Sequence, residues 1–358
     1  MLPKTVHAWE IKGYAKITKE LRDMIREGLK EKYSSLHKAE IALKLSDYYH
    51  RKLHETFTRK DILFKLVKEA GIKKDMAERH IIKWRDAMSR EDYNISFPVR
   101  LNIIYTRIIS HIIGDGTITS NYTWCQKDIS PMKILQERLL GRSLGTQSNV
   151  ITIPRILIKI AKKALNLRQN NLTKEDLLKG LINLPKEHKI QVITAIIEDE
   201  GTCDKNRITI RMNNKEIMQL ITKIIDSLHY SRGNLTKRDY KKDGIKKEIW
   251  CVSLNIAGIK NYWLDLENVE MEYGKILSLW KKREAIKELS KHKSNINGLK
   301  RNKKLLKEIS KSGRFKNIAF DDIKRGFDLT RNETASLLRY SVNKKHIKRI
   351  KQGIYTRI

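Results

Sequence analysis

The sequence has little of what a secreted or membrane-embedded chain needs. Its three cysteines, Cys125, Cys203 and Cys251, lie far apart and form no Cys-x-x-Cys pair, which argues against a zinc-binding spacing and a disulfide framework. No apolar run is long enough to span a bilayer. Met1–Gly13 carries Glu10 and lacks the apolar centre of a signal peptide. We therefore expect an intracellular, cytoplasmic protein in a reducing compartment.

Proline and glycine are also scarce, at 5 and 17 of 358 residues, which argues against long disordered linkers. The length allows two or three domains, and a hydrophobic content of 40% allows each a real core. Acidic residues are outnumbered, because 41 Asp and Glu stand against 75 Lys and Arg, for a formal net charge of +34. A charge this positive favours a nucleic-acid partner through counterion release, without choosing between DNA and RNA.

Two segments of the chain have nearly the same pattern. Ile108–Gly116 and Ile193–Gly201 are apolar stretches of helical character with a small residue near the middle, and each ends in an acid followed by glycine. Each continues into two short alternating runs around a Ser-Asn or Lys-Asn pair, which predicts a β-hairpin. Helical stretches follow at Pro131–Leu140 and Lys215–Tyr230. We interpret the pattern as an internal duplication.

The duplication predicts which acids meet. Ser110 and Ala195 hold corresponding positions, where small residues allow two helix backbones to approach closely. If the copies pack about a pseudo-twofold axis, Asp115 and Glu200 come side by side at the helix ends. Adjacent carboxylates either share a proton or bind a divalent cation, and oxygen ligands suit Mg²⁺ or Mn²⁺. The pattern therefore predicts metal-assisted phosphodiester chemistry.

The paired motifs resemble those of the LAGLIDADG homing endonucleases in their single-chain form, over about residues 98 to 285. The resemblance implies an α+β fold, a duplicated αββαββα unit (98–185 and 186–285) with pseudo-twofold symmetry, whose hairpins form a saddle over double-stranded DNA. It implies that Asp115 and Glu200 bind the metal, with the carbonyls of Gly114 and Asp199 as further ligands. Since both copies lie in one chain, a monomer is expected.

The family also tends to place basic and polar residues near the metals. The resemblance therefore points to residues on or beside the hairpin strands as catalytic candidates, namely Gln126, Arg211, Lys246 and Lys247. Basic residues on the hairpins of the second copy are the candidates for DNA contacts: Arg207, Arg211, Lys237 and Arg238.

The sequence also departs from the family pattern. His111 puts a polar ring where the motif normally has an apolar residue, and we interpret it as a hydrogen-bonded side chain at the helix edge. The second hairpin of the first copy must fit within Leu144–Arg155, turning at Ser148-Asn149, whereas its counterpart spans about Gly233–Leu254. We expect a lopsided DNA surface.

Residues 1–97 predict a separate N-terminal helical domain. The sequence pattern predicts two of its helices, joined by a short turn, over Thr58–Ile72 and Asp75–Met88. The pair fits a helix-turn-helix, and any small helical bundle would give the same pattern. Ser96-Phe97-Pro98 marks the boundary to the duplicated region.

Two segments follow the duplication: a charged helical connector over 286–312, and residues 313–358, whose order of helix, turn, helix and hairpin resembles a winged helix-turn-helix. The basic and polar residues that would contact DNA there, mostly at phosphates, are Arg331, Asn332, Arg339, Lys344, Lys345, Lys348 and Arg349.

Three functions agree with these features. The first is a Mg²⁺-dependent, sequence-specific endonuclease of the LAGLIDADG type that acts on double-stranded DNA. The second is a transcription regulator that keeps the fold without cutting, and the preservation of both acids argues against it. The third is an RNA-binding maturase, which neither the charge nor the motif excludes.

Overall fold

The computed structural model describes residues 2–45, 53–88, 92–118, 122–125, 146–147, 150–167, 172–242, 245–273, 282–291, 318–326, 347–351 and 354–357, with isolated positions at 130, 133, 137, 334–335, 337–338 and 342. Helices and sheets are both abundant, which confirms the α+β class. The chain divides into a first unit, Met1–Lys291, and a second unit, His292–Ile358. Within the described ranges, no helix has the length and apolar character needed to cross a membrane.

The N-terminal part of the first unit is built on a sheet as well as on helices. Its helices are α1 (Lys19–Tyr33), α2 (Leu36–Leu43), α3 (Lys60–Glu69) and α4 (Lys74–Glu78). Its strands are β1 (Thr5–Val6), β2 (Gly13–Ile17), β3 (Thr58–Arg59), β4 (Ile81–Asp86) and β5 (Asp92–Tyr93), of which four form an antiparallel sheet in the order β3-β2-β4-β5.

The prediction of a purely helical N-terminal domain was therefore wrong. The helix expected over Asp75–Met88 ends at Glu78, and β4 follows it. Ile81 and Trp84 are three residues apart, which imitates helical spacing, but their side chains are buried in a strand that pairs with β2. Tertiary pairing thus overrides a local helical pattern.

The N-terminal sheet does not form a unit of its own. Strand β1 pairs with β6 (Val99–Arg100), across the predicted boundary at Ser96-Phe97-Pro98. The buried carboxylate of Asp86 also forms an ion pair with Lys159 at 2.5 Å. These contacts explain why residues on both sides of the boundary belong to the first unit.

The first motif copy begins with α5 (Ile103–Ser110), whose N-cap Asn102 accepts from the backbone N–H of Tyr105 at 2.8 Å. The remaining described elements of this copy are β7 (Gly116–Ile118), β8 (Tyr122–Cys125), β9 (Thr146–Gln147), β10 (Val150–Thr152) and α6 (Arg155–Ala164). The four strands form an antiparallel sheet in the order β7-β8-β10-β9.

The second copy is preceded by α7 (Lys174–Leu181) and begins with α8 (Lys186–Glu200). The elements that follow are β11 (Gly201–Asp204), β12 (Arg207–Met212), α9 (Lys215–Ser227), β13 (Thr236–Lys242), β14 (Ile245–Asn255), α10 (Ile256–Tyr273) and α11 (Arg283–Lys291). Its sheet runs β11-β12-β14-β13, which is the strand order of the first copy.

The two sheets differ in size. Strands β9 and β10 are two and three residues long, whereas β13 and β14 are seven and eleven residues long. The turn at Ser148-Asn149 lies outside the described residues, and so does most of the helix expected over Pro131–Leu140, where Lys133 and Glu137 are helical. The second-copy sheet therefore offers much longer strands.

Helix α11 (Arg283–Lys291) includes the first six residues of the connector predicted over 286–312. Its Ile286 and Leu289 are buried within the first unit, so this part of the segment packs as a structural element, and residues 292–312 lie outside the described ranges.

The second unit has a small antiparallel sheet next to a helix. Its elements are β15 (Ile318–Ala319), α12 (Phe320–Gly326), β16 (Ile347–Lys351) and β17 (Ile354–Arg357), with the strand order β15-β17-β16. Between α12 and β16, Thr334, Leu337 and Leu338 are buried at helical positions.

Candidate metal centre between the two motif helices

Helices α5 and α8, which carry the two motifs, pack against each other at the centre of the first unit. Ser110 and Ala195 are fully buried, as the close approach of two helix backbones requires. At one end of the pair, the Thr106 hydroxyl and His188 Nδ1 are 2.8 Å apart. Burial lowers the pKa of His188, which favours the neutral imidazole in this contact.

The first motif does not remain α-helical as far as its acid. Helix α5 ends at Ser110, and His111 to Asp115 continue as turns. The backbone N–H groups of Ile112 and Ile113 donate to carbonyls three residues earlier, at 3.1 and 3.0 Å. This tighter last turn brings the Asp115 backbone directly to β7.

At the opposite end of the helix pair, Asp199 of the second motif lies over Gly114 of the first. A Cβ atom at Gly114 would be 2.5 Å from Asp199 Oδ2, so only glycine leaves room for this carboxylate. The Asp199 side chain is buried and accepts hydrogen bonds from His111 Nδ1 at 3.0 Å and from Trp124 Nε1 at 3.2 Å. Gly114 and Asp199 hold corresponding positions in the two motifs, and the glycine of the first motif leaves the space that the carboxylate of the second motif fills.

The tautomer of His111 follows from its two neighbours. Arg107 Nε donates to His111 Nε2 at 3.2 Å, which makes Nε2 the acceptor and leaves Nδ1 to donate to Asp199. All three side chains are buried. His111 is hydrogen-bonded, as expected, but its ring is buried and does not lie at the helix edge, and it links the first motif to the carboxylate of the second.

Three motif carboxylates lie near one another. Burial, together with the negative charges of Asp115 and Asp199, raises the pKa of Glu200 to about 7, against the opposing charges of Lys174 and Lys282. The Glu200 carboxylate is half-buried. When burial and like charge raise the pKa of an acid to near 7, a bound cation would stabilise the ionised form of that acid.

Two lysines cap the two motif helices. Lys174 Nζ donates to the carbonyls of Ile113 and Gly114, at 3.2 and 2.9 Å. Lys282 Nζ donates to the carbonyls of Ile197 and Glu198, at 2.8 and 2.6 Å.

Each ammonium thus meets the carbonyl end of a helix dipole, beside the acids. Burial lowers the pKa of Lys174, while the charges of Glu200 and Asp115 oppose that shift. The lysine caps were missed in the sequence, since Lys174 and Lys282 follow their motifs at unequal distances and no local pattern marks either.

A cavity of about 480 Å³ opens at the second motif acid. Gly114, Glu200 and Arg211, all predicted site residues, line it together with Lys174 and Tyr240. Arg211 Nη1 donates to the Thr202 hydroxyl at 3.0 Å, which holds the guanidinium along the sheet. An acid, a guanidinium and an ammonium therefore face one space.

The other predicted residues are distributed more widely. Lys247 is exposed on β14 and does not line this cavity, Lys246 lies on the same strand, and Gln126 lies outside the described residues. On β12 and β13, Arg207, Lys237 and Arg238 are exposed, as a contact with phosphate requires. In the second unit Lys348 and Arg349 are exposed on β16, whereas the rest of that set lies outside the described residues, namely Arg331, Asn332, Arg339, Lys344 and Lys345.

The donor set fits a hard divalent cation. Asp115 and Glu200 carry the carboxylate oxygens that such a cation prefers, and burial, followed by the negative charges of Asp115 and Asp199, raises the pKa of Glu200. The Gly114 carbonyl already accepts from Lys174, so a metal that used this oxygen would compete with the ammonium. The Asp199 side chain is engaged by His111 and Trp124, which leaves its backbone carbonyl as the group suited to a metal.

No family model matches the chain, and no curated protein matches it either. Among solved structures, I-DmoI in complex with DNA and Ca is similar at 14% identity and a TM-score of 0.33, covering 52% of this chain and 97% of that one. Full-length DUF199/WhiA from Thermatoga maritima is similar at 10% identity and a TM-score of 0.32, covering 70% of this chain and 93% of that one. Both are distant structural similarities.

Proposed function

We propose that this chain is a divalent-metal-dependent endonuclease that binds double-stranded DNA on the hairpins of a duplicated, pseudo-twofold αββαββα unit. The observation that carries the proposal is the meeting of the two motif ends, where the charge of Asp115 acts on Glu200 and Glu200 shares a cavity with Gly114 and Arg211. The identical strand order of the two sheets supports the duplication.

In this proposal Asp115 and Glu200 hold the cation, with the backbone carbonyls of Gly114 and Asp199 beside them. The chemistry that a divalent ion held by these residues would supply is an activated water and polarisation of a phosphate oxygen. Arg211 lines the same cavity, and in this proposal its guanidinium contacts the scissile phosphate.

Glu200 sets the pH range of the site. With a pKa of about 7, its carboxyl group is only partly ionised at neutral pH. Because only the ionised form binds a cation well, protons compete with metal below that pH.

A non-cleaving DNA-binding protein is the second candidate, and the lysine caps are the observation that favours it. Lys174 and Lys282 already place two positive charges at the carbonyl ends of the motif helices. Such internal cations would partly offset the carboxylates without any metal.

The test is cleavage of a randomised double-stranded DNA library in Mg²⁺ and in Mn²⁺, with bound and cut molecules scored separately. We expect Asp115→Asn and Glu200→Gln each to abolish cutting while binding survives. Glu31→Gln, which changes an exposed acid on α1, is the matched control and should cut like the wild type. Specific binding by the wild type without cutting in either metal would leave the non-cleaving candidate.

A further inference from the structure

A basic groove lies between the N-terminal segment and helix α6, apart from the sheets of the two motif copies. Its volume is about 960 Å³, and none of its lining residues belongs to a strand. The charged groups that line it are five lysines and one acid: Lys4, Lys12, Lys159, Lys162, Lys163 and Glu10. The groove therefore has a large excess of positive charge.

Two of the five lysines have carboxylate partners. Lys4 forms an ion pair with Glu10 at 3.6 Å, and Lys159 forms one with the buried Asp86 at 2.5 Å. Across the part of the chain that the structure describes, no ion pair joins Lys12, Lys162 or Lys163 to a carboxylate. These three ammonium groups supply the uncompensated charge of the groove.

The repulsion among these charges is visible at a neighbouring lysine. Burial lowers the pKa of Lys60; the charge of Asp61 opposes that shift, and the ammonium groups of Lys12 and Lys163 add to it. Like charges gathered in this way cost free energy in the isolated protein, and an anion in the groove would offset that cost.

The backbone holds the lysines on a defined surface. Lys162 and Lys163 lie in the last turn of α6, where the Leu167 N–H donates to the Lys162 carbonyl at 2.8 Å. The backbone N–H of Lys4 donates to the Ala164 carbonyl at 3.1 Å and ties the N-terminal segment to the same helix end. The lysines therefore project from an ordered framework.

The spacing of the lysines suits a phosphate backbone. Lys162 and Lys163 are consecutive residues of α6 and therefore leave the helix in different directions, and Lys12 lies on the separate N-terminal segment. A DNA strand carries a phosphate about every 3.4 Å of duplex axis, so neighbouring lysines can reach different phosphates. Lysine also binds phosphate as a compact point charge with three donors, and it does not need the fixed two-pronged geometry with which arginine binds a carboxylate or phosphate.

We propose that this groove is a second nucleic-acid contact, which binds the phosphodiester backbone of DNA through Lys12, Lys162 and Lys163, separately from the hairpin strands. The proposal rests on the nucleic-acid partner of the proposed function but not on cleavage. An acidic protein is the alternative occupant that the experiment must exclude.

The first measurement is lysine acetylation of the wild-type chain, read by mass spectrometry, with and without a saturating mixed-sequence duplex. We expect DNA to protect Lys12, Lys162 and Lys163. Three exposed lysines on other helices, Lys30, Lys68 and Lys223, serve as the matched set and should stay reactive. Equal reactivity of the groove lysines in free and bound protein, or protection by polyglutamate in place of DNA, would overturn the proposal.

The second measurement is the salt dependence of DNA affinity for the triple variant Lys12→Gln, Lys162→Gln, Lys163→Gln. If each lysine neutralises one phosphate, the slope of log affinity against log salt falls by about 2.7. The Gln variant of the matched set, with the same net charge, should keep the wild-type slope. An unchanged slope in a folded groove variant contradicts the proposal, and if that variant does not fold, the acetylation result on the wild type decides.

These outcomes separate the groove from the catalytic proposal. A wild type that binds with a groove-dependent slope but never cuts supports the groove and removes the endonuclease. A wild type that cuts while its groove lysines stay reactive does the reverse. Absence of any DNA binding by the wild type overturns both.

Discussion

The contact between Gly114 and Asp199 makes the interface of the two motifs sensitive to a single methyl group. Gly114→Ala would place a Cβ atom 2.5 Å from Asp199 Oδ2, 2.6 Å from its Cβ and 2.9 Å from its Cγ. These distances are too short for non-bonded atoms, so the Asp199 side chain must move and, because its Cβ is also too close, the two backbones must separate. The Asp199 side chain would then lose the hydrogen bonds from His111 and Trp124.

The cost follows from burial. A hydrogen bond to a charged group contributes about 1.5–3 kcal/mol, and overpacking in a core costs about 1–3 kcal/mol. With partial relaxation, we expect Gly114→Ala to lower the free energy of unfolding by about 3 kcal/mol. For a unit of this size that corresponds to a fall in Tm of roughly 6–12 °C.

The assay is thermal unfolding of wild type and variants, with Gly233→Ala as the matched control. A Cβ at Gly233 meets only Ser253 O, at 3.9 Å, so this substitution should leave Tm within about 2 °C of wild type. NMR should also show a shift of the Trp124 indole N–H in Gly114→Ala alone. The reasoning is refuted if the two alanine variants unfold at the same temperature.

Three further predictions concern charge. Lys174→Met frees the Gly114 carbonyl and removes a positive charge beside the acids. The affinity for Mn²⁺, measured by calorimetry, should therefore rise about tenfold. The control Lys179→Met, on the exposed face of α7, should leave this affinity unchanged. The folded-state pKa of Glu200, about 7, lies above its ordinary value of 4.5, so the metal-free wild type loses stability as pH rises from about 4.5 to 7. In EDTA, Glu200→Gln should therefore be about 2 kcal/mol more stable than wild type at pH 8 and equally stable at pH 4. Parallel pH profiles of unfolding free energy for the two proteins would contradict this prediction. Asp86→Asn removes the buried partner of Lys159 and should lower the unfolding free energy by about 3 kcal/mol, with faster proteolysis between the N-terminal sheet and α6; unchanged proteolysis would show that this ion pair does not hold them together.

Much of the structure of residues 98–285 could be predicted from the sequence because the signals there are local. An apolar segment that leads to Asp115-Gly116 or Glu200-Gly201, followed by a turn and alternating strands, specifies a helix and hairpin from near neighbours alone. The unequal lengths of the second hairpins were also visible as unequal spacing between turn signals. In the N-terminal region the same reasoning failed at Ile81–Asp86, because this segment forms a strand through pairing with the distant segment Gly13–Ile17 and its local pattern resembles a helix.

The sequence by itself determined the candidate acids, the small residues at the helix crossing and the net charge that favours nucleic acid, since each depends on residue type and local spacing. Only the tertiary structure decided that Asp199 lies over Gly114, that His111 and Trp124 hold its carboxylate, and that Lys174 caps the first motif helix. It also brought Lys12 and Lys163 to one groove. These contacts join residues separated by tens of positions along the chain, and no local pattern encodes such separations because each contact depends on how the elements pack.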